Sequence, residues 1–134
     1  MRLQGSSKLE INMLMHGIHE VIFYESSTGA VDEWIYWMEK LFRRSQDKDA
    51  VYILIDFGTV PDMTMDYIFR EAKRLRQKYS DEPRLSVAIL MPSSRLAPLV
   101  ETLTQLIDPH SLARCFGRRE RQDAIRWLAS IQRH

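Results

Sequence analysis

The run Val51-Tyr-Ile-Leu-Ile-Asp56 constrains the fold of this chain more than any other stretch of it. It is almost wholly apolar up to its last residue, so it cannot turn one face to water and the other to a core. A strand of this kind is covered on both faces, the situation of a parallel sheet flanked by helices. Its terminal carboxylate opens into a loop, and α/β folds place their working residues in the loops beyond the carboxyl ends of such strands.

The rest of the chain alternates in the same sense. Leu9, Ile11, Met13 and Met15 interleave with Glu10, Asn12 and His16, the period of a half-buried strand. Gly17 offers a turn, and His19 to Glu25 is a second β-rich run, so the two form an antiparallel hairpin. Trp34, Ile35, Met38, Leu41 and Phe42 then mark a helical stripe, with Thr28 as its N-cap and Arg43 and Arg44 set favourably against the helix dipole. After the Val51 strand, Met65, Ile68, Phe69, Ala72 and Leu75 make a second stripe, which Ser80-Asp-Glu-Pro83 stops. Leu85 to Met91 is a further buried strand, and Leu96, Leu99, Val100, Leu103, Leu106 and Ile107 a further helix. A short strand near Ala113 to Phe116 and a helix carrying Ala124, Trp127, Leu128 and Ile131 close the chain. The order is ββαβαβαβα, an α/β fold with a five-stranded mixed sheet packed with four helices. Only the first strand is antiparallel, because each later strand is reached through a helical crossover.

A length of 134 residues suits a single core. Residues 1–7 read as a flexible N-terminal segment and 8–134 as a single domain. Lys and Arg number 19 against 18 Asp and Glu, for a net charge of +1, which argues against a polyanion binder. Basic residues of the second and last helices, among them Arg70, Lys73, Arg74, Arg76, Lys78, Arg118, Arg119, Arg121 and Arg126, are interrupted by acids and read as solvated faces, so no nucleic-acid partner is expected. The sole cysteine, Cys115, has no partner for an intramolecular disulfide. No apolar stretch approaches the roughly 18 residues of a membrane span, so stable insertion is not expected. The start of the chain lacks the apolar core of a signal peptide, and a cytoplasmic location follows as the default.

Parallel topology gathers the segments after successive strands on one edge. That brings Ser26, Ser27 and Thr28 together with Asp56 to Asp66, Ser93 to Arg95, and Gly117. Asp56, Asp62 and Asp66 could converge on a hard cation, yet Asp62 and Asp66 suit the first turn of a helix and Asp56 a strand-end turn, so no metal is expected. Ser93, Ser94 and Arg95 precede a helix and could cradle an anion, although without glycine a plain serine N-cap accounts for them better. His16, His19, His110 and His134 show no ligand spacing. Cys115 reads as a small core residue that would need a neighbouring base to act as a nucleophile.

The strand-Asp-loop segment Ile53-Leu-Ile-Asp-Phe-Gly-Thr-Val60 and the ending Cys115-Phe-Gly-Arg-Arg-Glu-Arg-Gln-Asp-Ala-Ile-Arg-Trp-Leu128, in this order of elements, resemble STAS domains, and among them the SpoIIAA-like branch. The resemblance implies a non-catalytic regulatory module of the anti-sigma-factor-antagonist kind, with a protein partner, or, in this branch, a binder of apolar ligands. Switching members carry Asp-Ser-Ser-Gly at the start of their second helix, where this chain has Asp62-Met-Thr-Met-Asp66. By that resemblance Thr64, the only hydroxyl of the segment, is the candidate phosphorylation site. A phosphate there would gain from the helix N-terminus and suffer from Asp62 and Asp66, and the plainer role for Thr64 is capping.

The function expected from sequence is therefore an interaction module without cofactors. Its contact residues would be Asp56, Thr59, Asp62, Thr64, Asp66, Ser93, Ser94 and Arg95 in the loops, and Tyr36 and Trp37 on the first helix, where aromatic residues exceed what one sheet face requires. Association of two copies through that face is a further expectation. The alternative is a carrier or sensor of an apolar small molecule held between helices and sheet, which Met13, Met15, Met63 and Met65 would suit if they were more than core filler. A cryptic enzyme ranks third.

Overall fold

Both the alternating run at Leu9 and the continuous runs at Val51 and Leu85 become strands, and the apolar stripes become helices over them. In the computed structural model the described residues are 1–57, 65–79, 83–91, 97, 100, 101, 104, 105 and 110–132, with Gln4 and Met65 described by backbone alone. In chain order they form β1 (Arg2–Gly5), β2 (Leu9–Met13), a single 3-10 turn at Met15–Gly17, β3 (His19–Phe23), α1 (Thr28–Arg44), β4 (Ala50–Asp56), α2 (Met65–Lys78), β5 (Arg84–Met91), β6 (Leu112–Gly117) and α3 (Arg121–Ile131). Ala97, Val100, Glu101, Thr104 and Gln105 are also helical.

The six strands lie in one mixed sheet in the order of the chain. β1 to β2 and β2 to β3 are antiparallel, and β3 to β4, β4 to β5 and β5 to β6 are parallel. The α/β class and the hairpin-then-parallel plan match the expectation from sequence. Two details differ. A sixth strand, β1, occupies part of the segment expected to be flexible, and three helices with complete bounds are described instead of four. The stripe expected at Leu96, Leu99, Leu103, Leu106 and Ile107 lies outside the described residues, although helical Val100 is buried where that stripe should pack. β1 escapes pattern reading because Arg-Leu-Gln-Gly has no apolar period; it forms through backbone pairing with β2, a bulge between Arg2 and Gln4, and mutual hydrogen bonds of Met1 and Met13.

Strand side chains alternate between faces, which explains why the central runs are apolar throughout. Val51, Ile53 and Ile55 join Val21, Phe23, Val87 and Ile89 under α1 and α2. Leu54, Ala88 and Leu90 point the other way and pack with Ile18, Phe116, Ala124 and Leu128 under α3. α1 starts one residue earlier than the cap expected: Ser27, extended at φ −92 and ψ 158, accepts a hydrogen bond from the Ala30 amide at 3.1 Å, and Thr28 is the first helical residue. In the hairpin connection His16 and Gly17 both have positive φ, 65 and 68, which suits Gly17 and strains His16. Among the described residues no helix is long and apolar enough to cross a membrane.

The outer edge of the sheet at β6 is closed by side chains. The Cys115 amide donates to Glu101 at 2.8 Å, the Gly117 amide to Glu120 at 2.7 Å, and the Ser111 carbonyl accepts from Gln105 at 2.9 Å.

One polar interaction spans most of the chain. Glu20, on β3 and only 3% exposed, accepts from Arg121 Nε at 2.9 Å and is ion-paired with Nη2 at 2.8 Å, while Asn12 Nδ2 donates to its other oxygen at 3.1 Å. Arg121 is thus no member of a solvated face; it fastens the first residues of α3 to the hairpin. Replacing Arg121 with Met would leave a buried carboxylate without its cation. Breaking a fully buried pair costs about 3–5 kcal/mol, and the partial exposure of Arg121 reduces the expected loss to about 2–3 kcal/mol. Urea unfolding should show a lower midpoint at unchanged slope, and Glu20→Gln in the same chain should restore most of the difference.

Candidate functional site

Along α1, Trp34, Met38 and Phe42 recur at every fourth residue, and along α2 Ile68, Ala72 and Leu75 do the same within a turn, so each helix presents one apolar row to the sheet. The rows do not close on each other. Between them, the β3–β5 face and the helical residues Val100 and Thr104 lies a cavity of about 100 Å³. A single water needs roughly 10–15 Å³, so the space is several times that of one solvent molecule, and its carbon-rich wall gives water few partners.

The cavity runs along the strands. Phe23, which ends β3, and Phe57, which follows β4, wall it at the carboxyl ends of the strands, their rings 5.4 Å apart. Leu85, Phe42, Arg76 and Ser111 wall it at the other end. Among the described residues four side chains with polar atoms line the wall. Thr104 Oγ1 donates to the Val100 carbonyl at 2.8 Å, and Ser111 is buried. Arg76, expected on a solvated face, is 7% exposed and sets its guanidinium 5.3 Å from the centre of the Phe42 ring. Trp34 is also 7% exposed, and its indole Nε1–H has no acceptor among the described residues.

The rim between the helices is polar. Tyr67 donates to Asp32, Lys78 pairs with Glu39 at 2.6 Å, and Arg43 donates to Tyr79 at 3.2 Å. These bonds bridge α1 and the end of α2 on the solvent side of the cavity.

The expected contact face on α1 divides. Tyr36 is exposed, at 60%, with Lys40 Nζ 4.4 Å from its ring centre. Trp37 is buried, which corrects its assignment to an interaction surface: its ring stands 5.5 Å from that of His19 on β3. α1 reaches across to β2 as well as over β3, so its covered face is wider than one stripe and takes Trp37 in. His19, half-buried there, has its basicity lowered mainly by burial, with a backbone hydrogen bond at Tyr52 opposing and the charge of Lys48 adding to the shift.

At the carboxyl edge of the sheet, Asp56 ends β4 beside Ile22 and Leu90, and Asp66 is exposed in the first turn of α2. Thr59, Asp62, Thr64, Ser93, Ser94 and Arg95 lie outside the described residues. Among the described residues no group of three His, Cys, Asp or Glu side chains gathers as metal ligands. Cys115, half-buried on β6 with its Sγ 3.7 Å from the Ala97 carbonyl, has its thiol pushed up to about 12 by burial and by the charge of Glu101. A neutral thiol at working pH is a poor nucleophile.

The helical rows that wall the cavity are legible in the sequence. The cavity itself is not, because its existence depends on how the rows of two helices meet over the sheet. Trp34 is buried as its place on the first stripe implies, whereas Arg76, expected on a solvated face, is not: nothing in its spacing distinguishes it from its neighbours.

Comparison of the chain with protein-family models, with curated proteins and with solved structures finds no match in any of the three.

The two titratable groups make separate predictions. Alkylation of folded Cys115 by iodoacetamide near neutral pH should run roughly a thousandfold slower than that of an unperturbed thiol and accelerate on unfolding. His19 has a folded pKa below its unfolded value of 6.5, so the unfolded chain takes up its proton first as pH falls. Its contribution to stability is full above about pH 6.5 and is lost as pH drops toward the folded value. The decrease in melting temperature from about pH 8 to about pH 5.5 should therefore be smaller in His19→Gln than in the parent chain.

Proposed function

We propose that this chain is a non-catalytic α/β domain that holds a small apolar molecule between its helix pair and its sheet, as a carrier or a sensor. The observation that supports this reading is the cavity: a carbon-lined space of about 100 Å³ inside the principal core, beneath α1 and α2. Cores close to native density leave few voids larger than a water, and an unfilled void costs its lining the contacts it would otherwise make. A cavity of comparable kind, about 150 Å³ and lined by aliphatic and aromatic side chains, stays dry and takes up benzene. Occupation by an apolar guest restores those contacts and removes the guest from water.

The helix pair supplies the means of entry and of signalling. α1 and α2 meet over the cavity through exposed polar pairs such as Lys78 with Glu39, which contribute little in water and separate at small cost. A guest that fills the space beneath would tighten the same contact. A sensor would transmit that change through the outer face of α1, where Tyr36 is exposed. The resemblance to SpoIIAA-like STAS domains belongs with this reading, as do a cytoplasmic location and a protein partner for the sensing form. A purely protein-binding module is less well supported, since burial of Trp37 leaves Tyr36 as the only large exposed aromatic of α1.

Benzene serves as a neutral probe. At a hundred times its dissociation constant it should stabilise the parent chain by about 2.7 kcal/mol. Ala72 lines the cavity, so Ala72→Leu should fill part of it, weaken benzene binding by at least about tenfold and leave stability unchanged or raised by up to about 1 kcal/mol. Equal thermal shifts in both chains would place the probe elsewhere and remove the support for this proposal.

A further inference from the structure

We infer that the cavity admits unfunctionalised hydrocarbons of about six carbons or fewer and selects them by refusal. The described residues of its wall give a guest almost no polar surface, so a molecule that carries an oxygen, a nitrogen or a charged headgroup is turned away. This rests on the cavity being a ligand site and goes beyond it by naming the class of guest and setting it apart from lipids.

The inference begins from where the polar atoms around the space are spent. Thr104 Oγ1 donates to the Val100 carbonyl of the preceding helical turn at 2.8 Å. Trp34 Nε1 and Arg76 Nε and Nη1 are covered so completely that a water molecule does not reach them, and the Arg76 guanidinium lies against the Phe42 ring. Ser111 is 2% exposed. What remains open to a guest is almost wholly carbon, drawn from side chains such as Phe23, Met38, Ile55, Ile68 and Val87.

A guest that leaves water loses the hydrogen bonds it made there unless the wall replaces them. For a hydrocarbon nothing of that kind is lost, and its removal from water drives the binding. For an alcohol, a ketone or an amine the loss is uncompensated, and for a carboxylate or phosphate headgroup it is far larger. Water provides no remedy, since a bridging molecule needs two or more polar partners and this wall does not present them.

Size sets the second limit. The space of about 100 Å³ is smaller than the cavity of about 150 Å³ that takes up benzene, so a six-membered ring stands near its upper bound. An acyl chain with its headgroup exceeds the space and also meets no polar partner within it. The guest is then a small ring or short chain of carbon and hydrogen alone.

Benzene and pyridine isolate the polar term, because they share a shape and differ by one ring CH against a bare acceptor nitrogen. Both are titrated into the intact chain at mildly alkaline pH, where pyridine is uncharged, and followed by proton–nitrogen correlation spectra. Pyridine is expected to have a dissociation constant at least about a hundredfold higher than that of benzene, as an alkane-like surrounding requires. A smaller ratio would mean that the wall meets the nitrogen with a donor, which overturns this inference and leaves the cavity as the site. Failure of benzene itself to bind would overturn the cavity reading together with this one. Decanoate then tests the lipid class: added in excess to the benzene-bound chain, it should leave the benzene-shifted signals in place. Displacement of benzene by decanoate would overturn the inference. Both measurements use the parent chain, so neither depends on a variant folding.

Discussion

Four strands that follow one another in sequence, lie side by side and point the same way impose a condition on everything attached to them. Each connection must climb over the sheet and return, and with a fixed hand of crossing it does so on the same face every time. α1, α2 and the helical Val100 are therefore crowded over one side of β3 to β6, and among the described residues α3, which follows β6, is the helix on the other. The two faces carry different duties. The α3 face is buried around Leu54, Leu90, Ala124 and Leu128, whereas the crowded face must fit the apolar rows of α1 and α2 and the helical Val100 to each other as well as to the sheet. The cavity lies where that matching is incomplete.

Against this background the Glu20–Arg121 contact has a role beyond its energy. α3 follows β6, and its cover of the sheet draws on its own apolar row and on this pair. Residues 101 positions apart in sequence are brought to hydrogen-bonding distance, so the hairpin at one end of the chain fixes the helix at the other. An apolar contact in the same place could not set the direction of approach as a charge-assisted hydrogen bond within an ion pair does.

What could be read from sequence follows the range of the forces involved. Alternation and continuity in residues such as Leu9 to Met13 and Val51 to Ile55 report directly on which faces are covered, and these strands, their pairing sense and the helical rows on α1 and α2 are all found where expected. β1 depends on backbone pairing with a partner strand and leaves no trace in side-chain pattern. Trp37 is drawn inside by the reach of α1 across β2, and Arg76 by the length of a side chain whose stem packs as hydrocarbon while its charged end meets an aromatic ring. Neither outcome is local, so neither is encoded in spacing. The cap of α1 shifted by one residue because Ser27 and Thr28 are chemically equivalent candidates, separated only by backbone geometry.

The closure of β6 bears on the fate of the protein at high concentration. A parallel sheet with an open flank is a template on which further chains can add, strand upon strand, into an insoluble polymer. Here three of the backbone groups at this flank are bonded to Glu101, Glu120 and Gln105, two of which also place negative charge along it. At the opposite flank the outermost strand is four residues long and bulged, too short and too twisted to seed regular growth. A sheet wide enough to bury its central strands on both faces is thus bounded by three side chains on one flank and by brevity on the other.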